Sequence, residues 1–574
     1  MISANLTWVM MGLRCYLSKR LKEKRMARWF SPRVGLLSLL MLVSPAVGAL
    51  RAQSIFEKPM AVVTVGKLEK VQPDIIYLMR AVGSPQIGGF VNIMVDQYSQ
   101  GLDRERSAGV LVAMQGETPA FVAYLPLQDF DQLTEALQTF GEPDDLGDGK
   151  YAMEVGANTV FALKTEKWLY IGMDEGVLEG LPADPTTIVP ASEESYEVSA
   201  RFIVKNIPEE LKTMFMDQIS NSLEQAMELQ AENQTEDQQK QAEAAAEQTL
   251  AQMEKSFAEM DELVVGWNID SSAKKTYMDF GIQALEGTDM AADLLKQQEM
   301  TTEFPGFMVE NAAATLRFGS LIAEKDAAQA VTSLETAKSQ ALSQVDDNEE
   351  IPEGKAKEVA KEVIEKMFSL LTKTVKEGVF DGGAAVVLDG DKLRTVLGGR
   401  IADGEQLATD LKAIFEEVKG NPEVPNINFD ASTYKGVTFH TLSVPVPDQG
   451  KSQQILGTEL PIVIGTGKKS FFVAVGDGGE DLLKSVLDVN ESKGKTKVTP
   501  FEFVVQVGQF LRYAQSIESN PILDLAVEGI ADYVGKDHVM LQSRSIPRGM
   551  VYRFTVEEGV LRAAGSMNAA NAGQ

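Results

Sequence analysis

The chain has 574 residues, with 54 Lys and Arg against 83 Asp and Glu, a formal net charge of −29, two histidines and one cysteine. A surface this acidic repels phosphate backbones, which argues against nucleic-acid binding. One cysteine excludes a disulfide framework and a cysteine-ligated metal site.

Residues 34–49, VGLLSLLMLVSPAVGA, form an apolar run of 16 after Arg28 and Arg33. A basic segment, an apolar segment and small residues before Gln53 make the pattern of a secretory signal, cut between Gly48 and Ala52. The run is short for a membrane span and contains Pro45. A start at Met26 would give the signal a more ordinary basic segment. Loss of residues 1–52 removes Cys15, nine basic side chains and one acidic one, leaving 45 basic against 82 acidic groups, a net charge near −37. The expectation is an exported protein of a bacterial envelope, periplasmic or extracellular, with no membrane span after cleavage and no cysteine there for a lipid anchor.

A recurrent pattern follows, read as strand, helix, hairpin, helix. The first unit, 55–190, opens with MAVVTVGKL from Met60, and its hairpin and helix are SAGVLVAMQGETPAFVAYLPLQDFDQLTEALQTF from Ser107. Paired apolar runs across a Gly- or Asp-containing turn are the hairpin signal. A further block, YAMEVGANTVFALKTEKWLYIGMDEGVLEGL from Tyr151, adds strands and a short helix.

The second unit, 191–300, opens with YEVSARFIV from Tyr196, and its hairpin begins DELVVGWNID at Asp261. Between them Leu211, Phe215, Ile219, Leu223 and Met227 recur four apart, and Leu250, Met253, Phe257 and Met260 at three-four-three spacing. This predicts a helical hairpin over about 209–261, with QQKQAEAAAEQ projecting into solvent. The third unit, 305–492, has AAATLRFGSLI from Ala312, a helical insertion over about 323–377 broken by DDNEEIPEG, and a hairpin from Gly382. It ends in an extra block, YKGVTFHTL from Tyr434 and PIVIGTGKKSFFVAVGDGGEDLLKSVL from Pro461. The fourth, 498–574, has FEFVVQVGQFL from Phe501, a hairpin from Asp537 and an Ala-rich tail. The order long, short, long, short predicts two tandem halves, about 55–300 and 305–574. The expected class is α+β, with largely antiparallel sheets, helices packed on them and projecting helical-hairpin insertions. Such arms could meet an envelope protein partner or pack on their own sheet; the sequence leaves the oligomeric state open.

No catalytic, cofactor-binding or metal-ligating residue is nominated. His440 and His538 fall in strand patterns, VTFHTL and HVML. Ser271 and Ser272 each precede a Lys by three, without the companion motifs of serine–lysine acyl enzymes. GTGKKS at 465–470 lacks the Walker glycine, Ile462 standing in its place, and reads as a hairpin turn. In GDGGED, Asp477, Glu480 and Asp481 could collect calcium, but acidic groups at a helix start are explained by the dipole. DGD at 389–391 fails as a calcium loop because Arg400 stands at the twelfth position. The reading is a structural or protein-interaction role, with no cofactor. Its alternatives are an envelope hydrolase with a carboxylate pair between the halves, or a binder of a small ligand or cation there.

FVAYLPLQDFDQLTEAL and KWLYIGMDEGVLEGLPADP resemble phrases common in large secreted repeat proteins of Planctomycetes, most clearly over about 58–190. The resemblance implies export and architecture, and no reaction.

Overall fold

A computed structural model describes residues 54–189, 196–231, 236–348, 354–390, 392–419, 425–448 and 450–572. The expected export signal, 1–52, lies outside them, as do parts of ENQTED and DDNEEIPEG, and Asp391. The chain begins with β1 (Ala61–Val65), α1 (Leu68–Ala81), α2 (Pro85–Tyr98), β2 (Ala108–Gln115), β3 (Thr118–Pro126), α3 (Phe130–Leu137), β4 (Asp144–Gly147), β5 (Lys150–Val155), β6 (Asn158–Lys164) and β7 (Trp168–Gly172). Then come β8 (Val198–Phe202), α4 (Glu209–Ala231), α5 (Glu236–Glu259), β9 (Met260–Asp270), β10 (Lys275–Ala284), α6 (Asp289–Gln297) and β11 (Thr301–Thr302).

Beyond these are β12 (Ala314–Leu321), α7 (Glu324–Asp347), α8 (Lys355–Lys376), β13 (Val379–Asp389), β14 (Lys392–Arg400), α9 (Gly404–Val418), β15 (Ile427–Tyr434) and β16 (Val437–Pro445). They lead to α10 (Ser452–Leu456), β17 (Glu459–Gly467), β18 (Ser470–Val475), α11 (Gly479–Lys493) and β19 (Thr496–Lys497). The chain closes with β20 (Phe501–Gln506), α12 (Val507–Ile517), α13 (Pro521–Ile530), β21 (His538–Ile546), β22 (Gly549–Glu557) and α14 (Glu558–Ala572).

Among the described residues, twenty strands join into one antiparallel sheet, and β11 pairs separately with β19. From one edge the order is β4-β5-β6-β7-β3-β2-β1-β8-β9-β10. It continues β22-β21-β20-β12-β13-β14-β18-β17-β16-β15 to the other edge. Read inward from either edge, the connections follow the same order and meet at the β10–β22 pair. The fold is therefore α+β with a large antiparallel sheet.

Local chemistry explains the elements. Asp129 caps α3 by accepting from the amides of Asp131 and Gln132, Thr288 caps α6, and Asp403 caps α9 through the Gln406 amide. The hairpin turns place Gly116, Lys274, Gly390 and Arg548 at positive φ, as tight two-strand connections require. Two expectations need correction. The single helix expected after β1 is two, because Gly83 turns left-handed and Pro85 cannot continue the α1 ladder. Strands β4 and β15 go beyond the extra blocks as read: DDLG carries a single apolar residue, whereas INFDASTY does carry a strand signal, Ile427, Phe429 and Ala431 alternating with polar residues.

Two cores lie on the same face of the sheet. In the first, Phe56, Val177 and Leu178 pack on Val62, Leu111, Val122, Tyr124 and Tyr170. In the second, Phe304, Phe307 and α11, through Leu482, Leu483 and Val486, cover Ala385, Val396, Phe439 and Phe472. Helices α1 and α14 also meet: Tyr77 of α1 donates to Glu558 of α14 at 3.1 Å, and Gly83 approaches Gly565 so closely that a Cβ on either would collide with backbone.

Candidate functional site

Strand register fixes which side chains share a face. Between the two cores, the core face carries a row of polar and charged groups. Asp279, Arg553, Gln542, Glu502 and Arg317 stand directly opposite one another on β10, β22, β21, β20 and β12. Asp279 accepts from Arg553 Nε at 2.8 Å and Nη2 at 2.7 Å, and from the Tyr196 hydroxyl at 2.8 Å. Gln542 donates to Glu502 at 2.9 Å, and Arg317 pairs with the same carboxylate. Beside the row, Arg201 pairs with Glu262, and the Glu197 carboxylate holds Lys70 and the Ile269 amide. Paired in this way, the charges tolerate burial.

The opposite, outer face inverts the usual arrangement. From β1 to β14 it runs across ten strands with no charged side chain. One row of direct opposites is Val198, Trp267, Met278, Phe554, Leu541, Phe503, Leu316, Ala384 and Leu397. The next holds Ala200, Val265, Phe280, Tyr552, Ser543, Phe501 and Phe318. Ser543 is buried, but the large apolar side chains stay open to solvent: Phe280 is 46% exposed, Tyr552 42%, Phe202 41%, Phe554 40%, and Met278 and Phe318 39%.

Among the described residues, helices roof the two ends of this face, and Ile269, Ala284 and Met550 at the strand ends between them are buried. At one roofed end, α3 sets Leu133 on Leu125, Leu169 and Ile171, and α2 packs on α3. At the other, Phe415 of α9 meets Phe429, which meets His440, and α8 packs on α9. Helices α2 and α8 bring further exposed apolar groups: Ile87, Phe90 and Ile93 at three-residue spacing, and Val363 and Met367 four apart. With strands about 4.8 Å apart and about 3.3 Å per residue, the open floor measures roughly 40 by 14 Å. An exposed apolar area on the order of 500 Å² is the size at which a surface patch marks a binding site.

The residues singled out in the sequence lie elsewhere. His440 is fully buried on β16; its Nδ1 accepts from the Asp430 amide at 3.1 Å and its Nε2 meets the Thr466 hydroxyl at 3.0 Å. Burial lowers its pKa, against the pull of Asp430. Lys468 and Lys469 of GTGKKS form the β17–β18 turn. Asp477 is bound by Lys392 at 2.6 Å, Glu480 by Lys484 at 2.8 Å, and Asp389 by Arg394 at 3.4 Å. Ser271 donates to Asp74, and Ser272 to Asp270. Asp381 is a buried carboxyl whose pKa is raised by burial, but its oxygens accept from the Thr302 hydroxyl at 2.5 Å and the Glu303 amide at 2.7 Å, which anchors the segment before Phe304. No described helix is long and apolar enough to cross a membrane.

His538 pairs with Glu557 at 2.8 Å. The hydrogen bond from Glu557 raises the His538 pKa against burial; burial would raise Glu557, but the His538 bonds win and lower it. The histidine contribution is full below its ordinary 6.5 and is lost as pH rises through the raised value; the glutamate contribution is full above its ordinary 4.5 and is lost on acidification. The pair therefore stabilises most between those two values. His538→Gln is expected to flatten the alkaline decline, so that urea-unfolding stability falls less between about pH 6 and pH 9 than in the parent. Equal declines would show that the pair is not coupled to folding.

Sequence reasoning assigned no residue to the outer face, yet a signal was present. Ala-Arg-Phe at 200–202, Met-Asp-Phe at 278–280, Leu-Arg-Phe at 316–318, Phe-Glu-Phe at 501–503 and Tyr-Arg-Phe at 552–554 repeat one apolar–charged–apolar phrase. Each places its charge on the core face and its apolar pair outside.

No family model matches the chain, and no curated protein matches it. Among solved structures, crystal form I of TP0453 aligns at 9% identity over 46% of this chain and 96% of that one, with a TM-score of 0.17. A likeness this slight carries no argument.

Proposed function

We propose that the protein is an exported, non-enzymatic binding scaffold of the bacterial envelope, with the open apolar face of its sheet as the contact surface. The observation that carries this reading is the run of uncovered Phe, Met, Tyr and Leu side chains across the centre of the sheet. Leaving about 500 Å² of apolar surface in water costs on the order of 10 kcal/mol relative to burying it, a cost an associating partner removes. The leader-like residues 34–49 support export. The matching order of strands from both edges supports a chain of four diverged units in two tandem halves, with α4–α5 and α7–α8 as the long helical pairs of the middle units. The test is photo-crosslinking in the producing cell. A crosslinking amino acid at position 280, on the floor, is expected to give a discrete adduct that the same residue at exposed Glu117 does not. Equal labelling at both positions would overturn the reading.

A further inference from the structure

Resting on that reading, we infer that the occupant of the floor is the acyl chains of a net-neutral phospholipid. The first argument is what the floor lacks. Each strand from β1 to β14 across it already has a neighbour on both sides, so its backbone donors and acceptors are spent within the sheet. A peptide cannot add as a further strand there; the sheet's edges, β4 and β15, lie far outside it. No floor side chain is charged; of its hydroxyls, Ser543 is buried on the Phe501 backbone, while Tyr552 is exposed. A protein partner would bring about one hydrogen bond per 100–200 Å², and the floor has almost nothing to answer them with. Hydrocarbon makes no such demand.

The second argument is size and charge. A floor about 40 Å across the strands accommodates several chains, each about 15 Å long in one bilayer leaflet. A second copy of this protein is the poorer fit. Each mature copy carries a net charge near −37, which opposes self-association. The same charge opposes anionic headgroups, so the lipid is neutral overall. Phe and Met lining, set between the helices α2 and α8 with their own exposed apolar groups, suits flexible chains without a fixed shape.

The experiment uses the full-length protein, made with its own leader and purified without detergent from the compartment it reaches. It is mixed with phosphatidylcholine vesicles that carry a pyrene-labelled phosphatidylcholine, and transfer of the label is followed by dequenching. Saturable uptake is expected, weaker from phosphatidylglycerol vesicles. Phe280→Glu with Phe554→Glu should reduce uptake about tenfold or more at an unchanged melting temperature. Phe280→Gln with Phe554→Gln serves as the milder pair if the charged one melts early. Uptake that is absent, or unchanged in both pairs, overturns the lipid assignment. Light scattering on the same samples separates the two claims. A dimer that the floor variants dissociate, with no lipid uptake, overturns the lipid assignment and keeps the docking face. A monomer without uptake and without the position-280 adduct overturns both.

Discussion

Replacing Asp279 with Ala is expected to lower the free energy of unfolding by about 3 kcal/mol, the lower end of the range for breaking a buried ion pair. Asp279 is 1% exposed and satisfies two nitrogens of Arg553 and the hydroxyl of Tyr196. The alanine leaves that guanidinium, which lies 3.8 Å over the Tyr277 ring, without its counter-ion at the β10–β22 seam. The lower end applies because the Arg553 side chain is 27% exposed, and water supplies part of the lost solvation. The pair is not itself a large source of stability. Asp279→Leu combined with Arg553→Met should recover most of the loss, since apolar groups of similar volume replace buried pairs at little cost. Urea unfolding of the parent, the single variant and the double variant measures all three quantities. A single-variant loss below about 1 kcal/mol would place the row among ordinary surface pairs and remove the reason to regard its face as the inner one.

That assignment of faces is where sequence and structure part. Alternation located the hairpins: VLVAMQGETPAFVAYLP became β2 and β3 around Gly116, and VVGWNIDSSAKKTYMDFGI became β9 and β10 around Lys274. Period two says that two sets of side chains point opposite ways, but not which set is buried. The usual rule would put Phe280 and Phe554 inside and Asp279 and Arg553 in water. Register across β10, β22, β21, β20 and β12 reverses it, because opposite charges fall side by side only when five strands from distant parts of the chain are aligned. No single strand contains that information. The open floor was legible only in part: the repeated apolar–charged–apolar phrase lies within single strands, but the floor itself forms only once β10 meets β22, 274 residues apart at the Asp279–Arg553 contact. The helix starts, by contrast, were local, set by Asp129 and Asp403 beside the turns they cap.

Two phenylalanines in the same sheet make the sharpest comparison. Phe472→Ala is expected to cost about 3–5 kcal/mol, the loss for truncating a buried aromatic into a cavity. Phe472 is 1% exposed and touches Phe304 and Phe307, with ring centroids 5.9 and 6.3 Å away. Those rings belong to the segment that Asp381 anchors, so they cannot follow the missing side chain without releasing that anchor. Phe280→Ala removes the same atoms from the outer face, where the ring is 46% exposed, and should cost only about 1 kcal/mol through lost contact with its cross-strand neighbours Val265 and Tyr552. Thermal or urea unfolding of both variants decides the matter. Similar losses would mean that the outer face is covered in solution, and a floor that is already covered has no need of a ligand. A several-fold difference means that Phe280 contributes little to the fold and is available for binding, which is the condition the lipid experiment relies on when it places charge at that position.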